Sequence, residues 1–168
     1  MKSLKSRRPW GGAVDETKLS SEPIAKSLHA AFCRDASRQE LLQLAAEKIR
    51  QTGAPYTSVY MYMVDDTGNM LKLEAFDGRT TDHTTIPVGR GICGKAVAEK
   101  TDVNVPDVSA TEEYLSCSVE TRSELVVLIR RHDEILGQID IDSDVPDGFD
   151  EPEVVAVKAV ADALAALL

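Results

Sequence analysis

Two cysteines and three carboxylates in the second half of the chain are the side chains that could do chemistry. Cys93 follows a Gly-Arg-Gly turn, and Cys117 precedes Glu124 at the start of an apolar run. Asp140 and Asp142 are two residues apart on the next apolar run. A thiolate is a nucleophile, and a carboxyl group can hold a cation or donate a proton. If these side chains face one cavity, that cavity could bind a small polar molecule and could support redox chemistry.

The three acids belong to consecutive apolar runs that are typical of strands. Alternate residues of a strand face one side, so Asp140 and Asp142 share a face, and Glu124 joins them if the two runs form a hairpin. Crowded carboxylates repel one another, which raises a pKa or demands a cation such as a ligand's ammonium group. The alternatives are a strand end in solvent, with Glu124 paired to Arg122 or Arg130, and a divalent ion. We predict no metal site, because a metal cage needs more oxygen ligands than the sequence offers.

The reactivity of the thiols depends on their positions. Cys93 starts a short predicted helix, where backbone N–H groups and the helix dipole stabilise an anion. Cys117 falls in a polar loop and is expected to be accessible. The alternative is that Cys93 is a small packed core residue and that Cys117 is an idle loop thiol. Cys33 is predicted to pack on a helix, and His29 and His132 to lie on the surface, so we identify no Cys-His catalytic pair.

Helices and strands alternate in an order that would position these side chains. Pro23 and the capping pair Ser37 and Glu40 start two helices, and Asp150 with Glu153 starts a closing helix. The runs between them predict about six strands: 57–64, 70–76, 84–88, 103–105, 123–131 and 134–142. The short helix ICGKAVAEK follows the third strand, and the polar loop 107–121 is expected to cover a binding site. The order predicts an α+β fold, with helices packed against a mostly antiparallel sheet and a pocket under loops on the other face.

Length and composition limit the class of protein. At 168 residues and 43% hydrophobic content the chain suits one domain, and we predict a flexible tail over 1–20 and a single domain over 21–168. A net charge of −9 disfavours nucleic acid, because a duplex-binding protein needs a basic face. No apolar run approaches the ~20 residues of a membrane helix, and no secretory signal follows the basic N-terminus. With three widely spaced cysteines, this predicts a cytoplasmic protein that contacts no membrane.

Four segments, taken together, resemble the GAF domain family. They are GRGICGKA at 89–96, NVPDV at 104–108, ETRSELVVLI at 120–129 and GQIDIDSDVPDGFDEPE at 137–153, and the match covers nearly everything after residue 36. The resemblance implies a six-stranded antiparallel sheet with a ligand pocket on one face and helices on the other. It also implies a signalling module that senses a small molecule and dimerises. We predict no cofactor.

One branch of that superfamily, the free methionine-R-sulfoxide reductases, is similar to this chain at several positions. The resemblance implies that Cys117 is the nucleophile and Cys93 the resolving thiol. It implies that Glu124, Asp140 and Asp142 hold the substrate amine. A thioredoxin-like protein would then act as the reductant. Two functions stay open at this point: a standalone module that binds a small polar ligand, and a reductase.

The chain departs from the reductase pattern at two positions. His83 stands where family members carry a further cysteine, and Tyr56 stands near the place of a tryptophan. We predict that His83, Tyr56 and Tyr60 contact the ligand, since the even spacing of Tyr56, Tyr60 and Tyr62 would put them on one strand face.

The first and last predicted helices are amphipathic and carry more apolar surface than one sheet face hides. Four-helix packing between two copies would bury the excess. The sequence therefore predicts a homodimer.

Overall fold

The computed structural model describes residues 18–110 and 118–168, which contain four α-helices and six strands. The helices are α1 (Ser21–Phe32), α2 (Arg38–Arg50), α3 (Gly91–Glu99) and α4 (Glu151–Leu167). The strands are β1 (Ser58–Val64), β2 (Met70–Asp77), β3 (Thr85–Pro87), β4 (Val103–Val105), β5 (Ser123–Arg131) and β6 (Glu134–Ser143). Within these ranges they form one sheet of order β3-β2-β1-β6-β5-β4, and every neighbouring pair is antiparallel. The predicted α+β architecture is confirmed.

The two faces of the sheet are covered by different helices. Helices α2 and α4 pack on the face that carries the larger core, and α1 packs against these two helices. Alternate strand residues point into this core: Val59, Met61, Met63, Leu125, Val127, Ile129, Ile139 and Ile141. Helix α3 covers the opposite face, whose apolar residues include Tyr60, Tyr62, Val126 and Leu128. Because side chains alternate along a strand, each strand supplies both layers. The central strand β1 is consequently buried along nearly its whole length.

Side-chain caps set where α2 and α4 begin. The Glu40 N–H donates to Ser37 Oγ at 3.3 Å, and the Ser37 N–H donates to the Glu40 carboxylate at 2.7 Å, so the predicted capping box is confirmed. The Glu153 N–H donates to Asp150 at 3.0 Å. The Glu153 carboxylate accepts from the Tyr56 hydroxyl, which ties the segment before β1 to α4. Among the described helices, none has the length and apolar character needed to cross a membrane.

The segment before α1 is packed where the structure describes it. Leu19 is 1% exposed, and its N–H donates to Glu153 at 3.3 Å. The Lys18 N–H donates to the same carboxylate. The predicted flexible tail over 1–20 therefore extends too far at its C-terminal end, and residues 1–17 lie outside the described residues.

Cys33 lies on the surface rather than in the core. It is the residue at the C-terminal cap of α1, it is exposed, and its Sγ lies 3.7 Å from His29 Nδ1. The buried face of α1 runs from Ile24 through Leu28 to Ala31, and the helical period places Cys33 off that face. The prediction that Cys33 is packed is wrong, whereas the surface position of His29 is confirmed.

Candidate functional site

The hairpin of β5 and β6 brings the three predicted acids to one face of the sheet. The chain turns at His132, which has a positive φ of 55°. The register then places Glu124 opposite Asp142 and Val126 opposite Asp140. Glu124 is 5% exposed, and Asp140 and Asp142 are each 1% exposed. The acids therefore meet in a region almost closed to solvent, and a strand end in solvent does not describe them.

Arg130, which the sequence offered as a partner for Glu124, binds a different acid. Its guanidinium pairs with Asp102 at 2.8 Å and donates to the Lys100 carbonyl oxygen at 3.0 Å. Asp102 also pairs with Lys158 of α4 at 3.0 Å. This network ties α4 to the end of α3 and to β5, so Arg130 does not neutralise the buried acids.

Helix α3 places a thiol beside these acids. A Cβ on Gly94 would lie 2.3 Å from the Pro87 carbonyl oxygen, so the glycine allows α3 to pack directly against the end of β3. Cys93, in the first turn of α3, is 6% exposed, and its Sγ lies 3.9 Å from Glu124 Oε1. The predicted short helix is confirmed, and its close packing brings Cys93 to the acids.

Cys93, Glu124, Asp140 and Asp142 together form what we call the acid–thiol site. One donor atom each from Cys93, Glu124 and Asp140 lie within 4.8 Å of one another. Asp142 is the cross-strand neighbour of Glu124. On the other side of β6, Tyr60 of β1 is paired with Asp140. The site residues therefore lie on β5, β6 and the first turn of α3, and Tyr60 of β1 is next to them.

Burial raises the pKa of all three acids. For Glu124 the loss of solvent is the largest cause, followed by the charges of Asp140 and Asp142. For Asp140 the loss of solvent is again first, followed by the charge of Asp142. Burial raises the pKa of Asp142 to about 6, and the positive charge of Arg79 acts in the opposite direction. The acids therefore hold protons to higher pH than exposed carboxyl groups do, unless a cation comes between them.

Several buried polar atoms of this face have no hydrogen-bond partner among the described residues. They are Asp140 Oδ1, Asp142 Oδ2 and both polar atoms of the Gln138 amide. A buried polar atom without a partner costs about 1–3 kcal/mol, so these atoms indicate a place for a polar ligand. Strand alternation predicts that Gln138, two residues before Asp140, shares the face of Asp140 and Asp142, but Gln138 was not among the predicted ligand residues.

Two other predicted ligand residues, Tyr60 and His83, lie at different places. Tyr60 lies on the same sheet face as the acid–thiol site, and its hydroxyl donates to the Arg79 carbonyl oxygen at 3.0 Å. His83 follows β2, and its carbonyl oxygen accepts from the Tyr62 hydroxyl at 2.6 Å. The side chain of His83 lines a surface pocket together with Arg90, at the start of α3. Contact of Tyr60 and His83 with a ligand stays a prediction.

Tyr56 lies on the other face of the sheet. It belongs to the core under the helices, its ring meets Phe149 edge-on at 5.6 Å, and its hydroxyl donates to Glu153. Strand β1 begins only at Ser58, so the alternation that places Tyr60 and Tyr62 together does not extend back to Tyr56. The structure does not bring Tyr56 to the acid–thiol site, and the shared face predicted for the three tyrosines is wrong for this one.

Arg79 is a residue that the sequence analysis did not select. Its guanidinium binds the Asp144 carboxylate through two hydrogen bonds, at 2.7 and 2.5 Å, and pairs with Glu120 at 2.7 Å. Its charge also lowers the pKa of Asp142. No local sequence signal marks this residue, because its partners lie more than 40 residues away along the chain.

Cys117, the predicted nucleophile, lies outside the described residues, as does the rest of 111–117. Its place near the acid–thiol site therefore stays a prediction. The same holds for the idea that the loop 107–121 covers the pocket.

Fold and site together define an α+β domain with a closed polar site on the face opposite its main helix layer. A family model described as "GAF domain" matches residues 37–168. This chain belongs to the GAF domain family. The family fold predicted from the four sequence segments is confirmed.

Free methionine-R-sulfoxide reductases are among the proteins similar to this chain. The reductase of Escherichia coli (strain K12) is 36% identical over 105 residues, which are 62% of this chain and 61% of that protein. The solved structure of the type II reductase from Thermoplasma acidophilum has a TM-score of 0.71 and 33% identity, covering 86% of this chain and 94% of that one. The reductase from Neisseria meningitidis, solved in complex with its substrate, has a TM-score of 0.78 and 28% identity, covering 86% and 85%. The chain spans about three fifths of the length of three curated relatives that it matches.

Proposed function

We propose that this protein reduces free methionine-R-sulfoxide and that the acid–thiol site holds the ammonium group of this amino acid. The observation that carries the proposal is the site itself. Three buried carboxylates and Cys93 meet in one place, and an oxygen of Asp140 and one of Asp142 lack a hydrogen-bond partner among the described residues. The likeness to reductases along most of the fold supports the same activity.

An ammonium group fits the acids by charge and by hydrogen bonding. It has three N–H donors, which can reach Glu124, Asp140 and Asp142. A hydrogen bond to a charged group contributes about 1.5–3 kcal/mol, and the positive charge removes the repulsion between the carboxylates. A methionine sulfoxide within a protein chain has an uncharged amide nitrogen at this position. The acids therefore favour the free amino acid over an oxidised residue in a polypeptide.

The reduction begins with attack of the Cys117 thiolate on the sulfoxide sulfur. A protonated carboxyl group of the acid–thiol site donates its proton to the sulfoxide oxygen. The protonated oxygen then transfers to the Cys117 sulfur, and both the sulfur–oxygen bond and the transient sulfur–sulfur bond to the substrate break. Methionine leaves, and Cys117 is left as a sulfenic acid. The sulfoxide gains two electrons, and the Cys117 sulfur loses two.

Cys93 then resolves the sulfenic acid. Its thiolate attacks the sulfenic sulfur, a Cys93–Cys117 disulfide forms, and water leaves. This step requires the two Cα atoms to come within about 7 Å. The Glu124 carboxyl group, 3.9 Å from Cys93 Sγ, is placed to accept the thiol proton. A thioredoxin-like dithiol then reduces the disulfide and is itself oxidised.

The test is the formation of methionine from the free R-sulfoxide in the presence of a dithiol reductant. We expect turnover by the wild type and by Cys33→Ser, which removes the exposed thiol. We expect turnover to fall by at least 100-fold in Cys117→Ser, because the nucleophile is gone. The S-sulfoxide and a peptide that contains methionine sulfoxide serve as negative substrates. Methionine formation that is equal in wild type and Cys117→Ser would refute the reductase.

Binding without turnover is a second candidate function, favoured by one observation. His83 stands where the reductases carry a further cysteine, so this chain has one thiol fewer for the cycle. Calorimetric titration with methionine-R-sulfoxide, methionine and other small amino acids distinguishes the two candidates. Binding that depends on Asp140, together with no methionine formed, would indicate a sensor.

A further inference from the structure

We propose that Cys93, Glu124 and Asp140 form a binding site for zinc, and that zinc and an amino-acid ammonium group exclude one another there. The metal claim stands on the geometry of the site and does not depend on the reductase proposal. The sequence alone did not predict it, because oxygen ligands were too few. The structure shows that the Cys93 thiol lies beside two of these carboxylates.

The spacing of the donor atoms suits a small divalent ion. The three donor atoms lie within 4.8 Å of one another, and Cys93 Sγ lies 3.9 Å from Glu124 Oε1. Zinc bonds of about 2.0–2.3 Å to oxygen and sulfur put tetrahedral ligands roughly 3.3–3.8 Å apart. Side-chain rotations that shorten the longest of these separations by up to about 1.5 Å would close the site. Three protein ligands leave a fourth position for water, as in open zinc sites.

The kinds of donor select among metals. A thiolate is a soft ligand that favours zinc and related ions, whereas Mg²⁺ and Ca²⁺ take oxygen ligands. Ca²⁺ needs six to eight such oxygens, more than the two carboxylates supply. The site should therefore bind Zn²⁺ and Co²⁺ and should not bind Mg²⁺ or Ca²⁺.

Burial and charge supply an independent argument for a ligand. Asp140 is 1% exposed, and its Oδ1 has no hydrogen-bond partner among the described residues. Cys93 and Glu124 are 6% and 5% exposed, so three groups that can each carry a negative charge are shielded from water. A divalent cation would give Asp140 Oδ1 a partner and would offset two of the three negative charges. A bound zinc would also occupy the space between the acids that the ammonium group needs.

The positions of the ligands are set by rigid elements. Glu124 and Asp140 lie on paired central strands, and Cys93 lies on a helix whose Gly94 packs against the Pro87 carbonyl. Ligands held in this way lose little freedom when a metal binds.

The test uses Co²⁺ as a spectroscopic substitute for zinc in the reduced full-length protein. We expect a thiolate-to-cobalt charge-transfer band in the near ultraviolet, with saturation at one ion per chain and displacement by Zn²⁺. Cys33→Ser and Cys117→Ser should keep the band, and Cys93→Ser should lose it. Asp140→Asn should weaken zinc binding by at least tenfold, whereas Asp66→Asn, at an exposed turn, should leave it unchanged. Ca²⁺ and Mg²⁺ should not displace cobalt.

A second measurement needs no variant. X-ray absorption of the zinc-loaded wild type should show one sulfur at about 2.3 Å and oxygen ligands at about 2.0 Å. A first shell without sulfur, with two sulfurs or with imidazole nitrogen would refute the assignment. Absence of the cobalt band, or a band that survives in a folded Cys93→Ser variant, would refute it as well.

Competition tests the second half of the proposal. Methionine-R-sulfoxide at saturating concentration should reduce the apparent zinc affinity, and zinc should reduce methionine formation in the same proportion. Zinc affinity that is unchanged by saturating amino acid would refute mutual exclusion. A protein that forms no methionine but shows the cobalt band would overturn the reductase proposal and leave the metal site standing.

Discussion

Replacement of Asp142 by asparagine should stabilise the protein at neutral and alkaline pH. The Asp142 side chain is 1% exposed, and burial raises its pKa from 3.8 to about 6. One pKa unit corresponds to about 1.4 kcal/mol, so the ionised carboxylate costs the folded state about 3 kcal/mol above pH 6. An amide has nearly the same shape and no charge. A buried amide N–H without a partner costs about 1 kcal/mol, so the net stabilisation by Asp142→Asn is about 2 kcal/mol.

The sign of the pH dependence follows from the raised pKa. Below about pH 4 Asp142 is protonated in both states, so it contributes no cost. Between about pH 4 and pH 6 the unfolded chain loses the proton first, and the destabilisation by Asp142 grows with pH. Above the folded pKa the cost is complete. The stability difference between Asp142→Asn and wild type should therefore be small near pH 4 and reach its plateau above pH 6.

Urea unfolding at about pH 4 and pH 8, with a chelator present, measures this difference. Asp144→Asn is the matched control, because the Asp144 carboxylate is bound by Arg79, which lowers its pKa. That variant should be less stable than wild type at both pH values, because the lowered pKa keeps the Asp144 carboxylate ionised in the folded state near pH 4. An Asp142→Asn variant that is less stable than wild type at pH 8, or whose gain is equal at both pH values, would refute the reasoning.

Three further predictions concern residues outside the acid–thiol site. Tyr56→Phe removes the hydroxyl that donates to buried Glu153 and should lower the free energy of unfolding by about 1–3 kcal/mol. Methionine formation per folded molecule should not change. A selective loss of turnover would place Tyr56 in the site after all. Gly94→Ala puts a Cβ 2.3 Å from the Pro87 carbonyl oxygen and should cost about 1–3 kcal/mol in thermal unfolding, so an unchanged melting temperature would contradict the close packing of α3. Phe32 on α1 and Val155 on α4 are 47% and 56% exposed. The change of both residues to serine should convert the expected homodimer to a monomer, as measured by light scattering. A monomeric wild type would contradict the dimer.

The sequence predicted the faces of the strands correctly. Asp140 and Asp142 fall on the face opposite Ile139 and Ile141 because side chains alternate along any strand. The capping box could be predicted for a similar reason, because Ser37 and Glu40 lie only three residues apart in the chain. Such features depend on neighbours in the chain, and local geometry determines them.

The same local rules failed where an element begins or ends. Tyr56 precedes β1, so the strand period does not apply to it, and the ring packs under the helices beside Phe149. Cys33 follows α1 and leaves the buried face of that helix. Leu19 is buried in the core under the helices, and its N–H donates to Glu153, 134 residues away along the chain.

By itself, the sequence determined which residues could do chemistry, which strand face carries the acids, and which helix carries Cys93. Only the tertiary structure decided that these groups meet. The register of β5 on β6 sets Glu124 opposite Asp142, and the packing of Gly94 against Pro87 carries Cys93 to 3.9 Å from Glu124. Burial of these groups, which raises the pKa of the acids, likewise arises when strands and helix close over them. Distances and desolvation of this kind come from residues far apart in the chain, so no local pattern contains them.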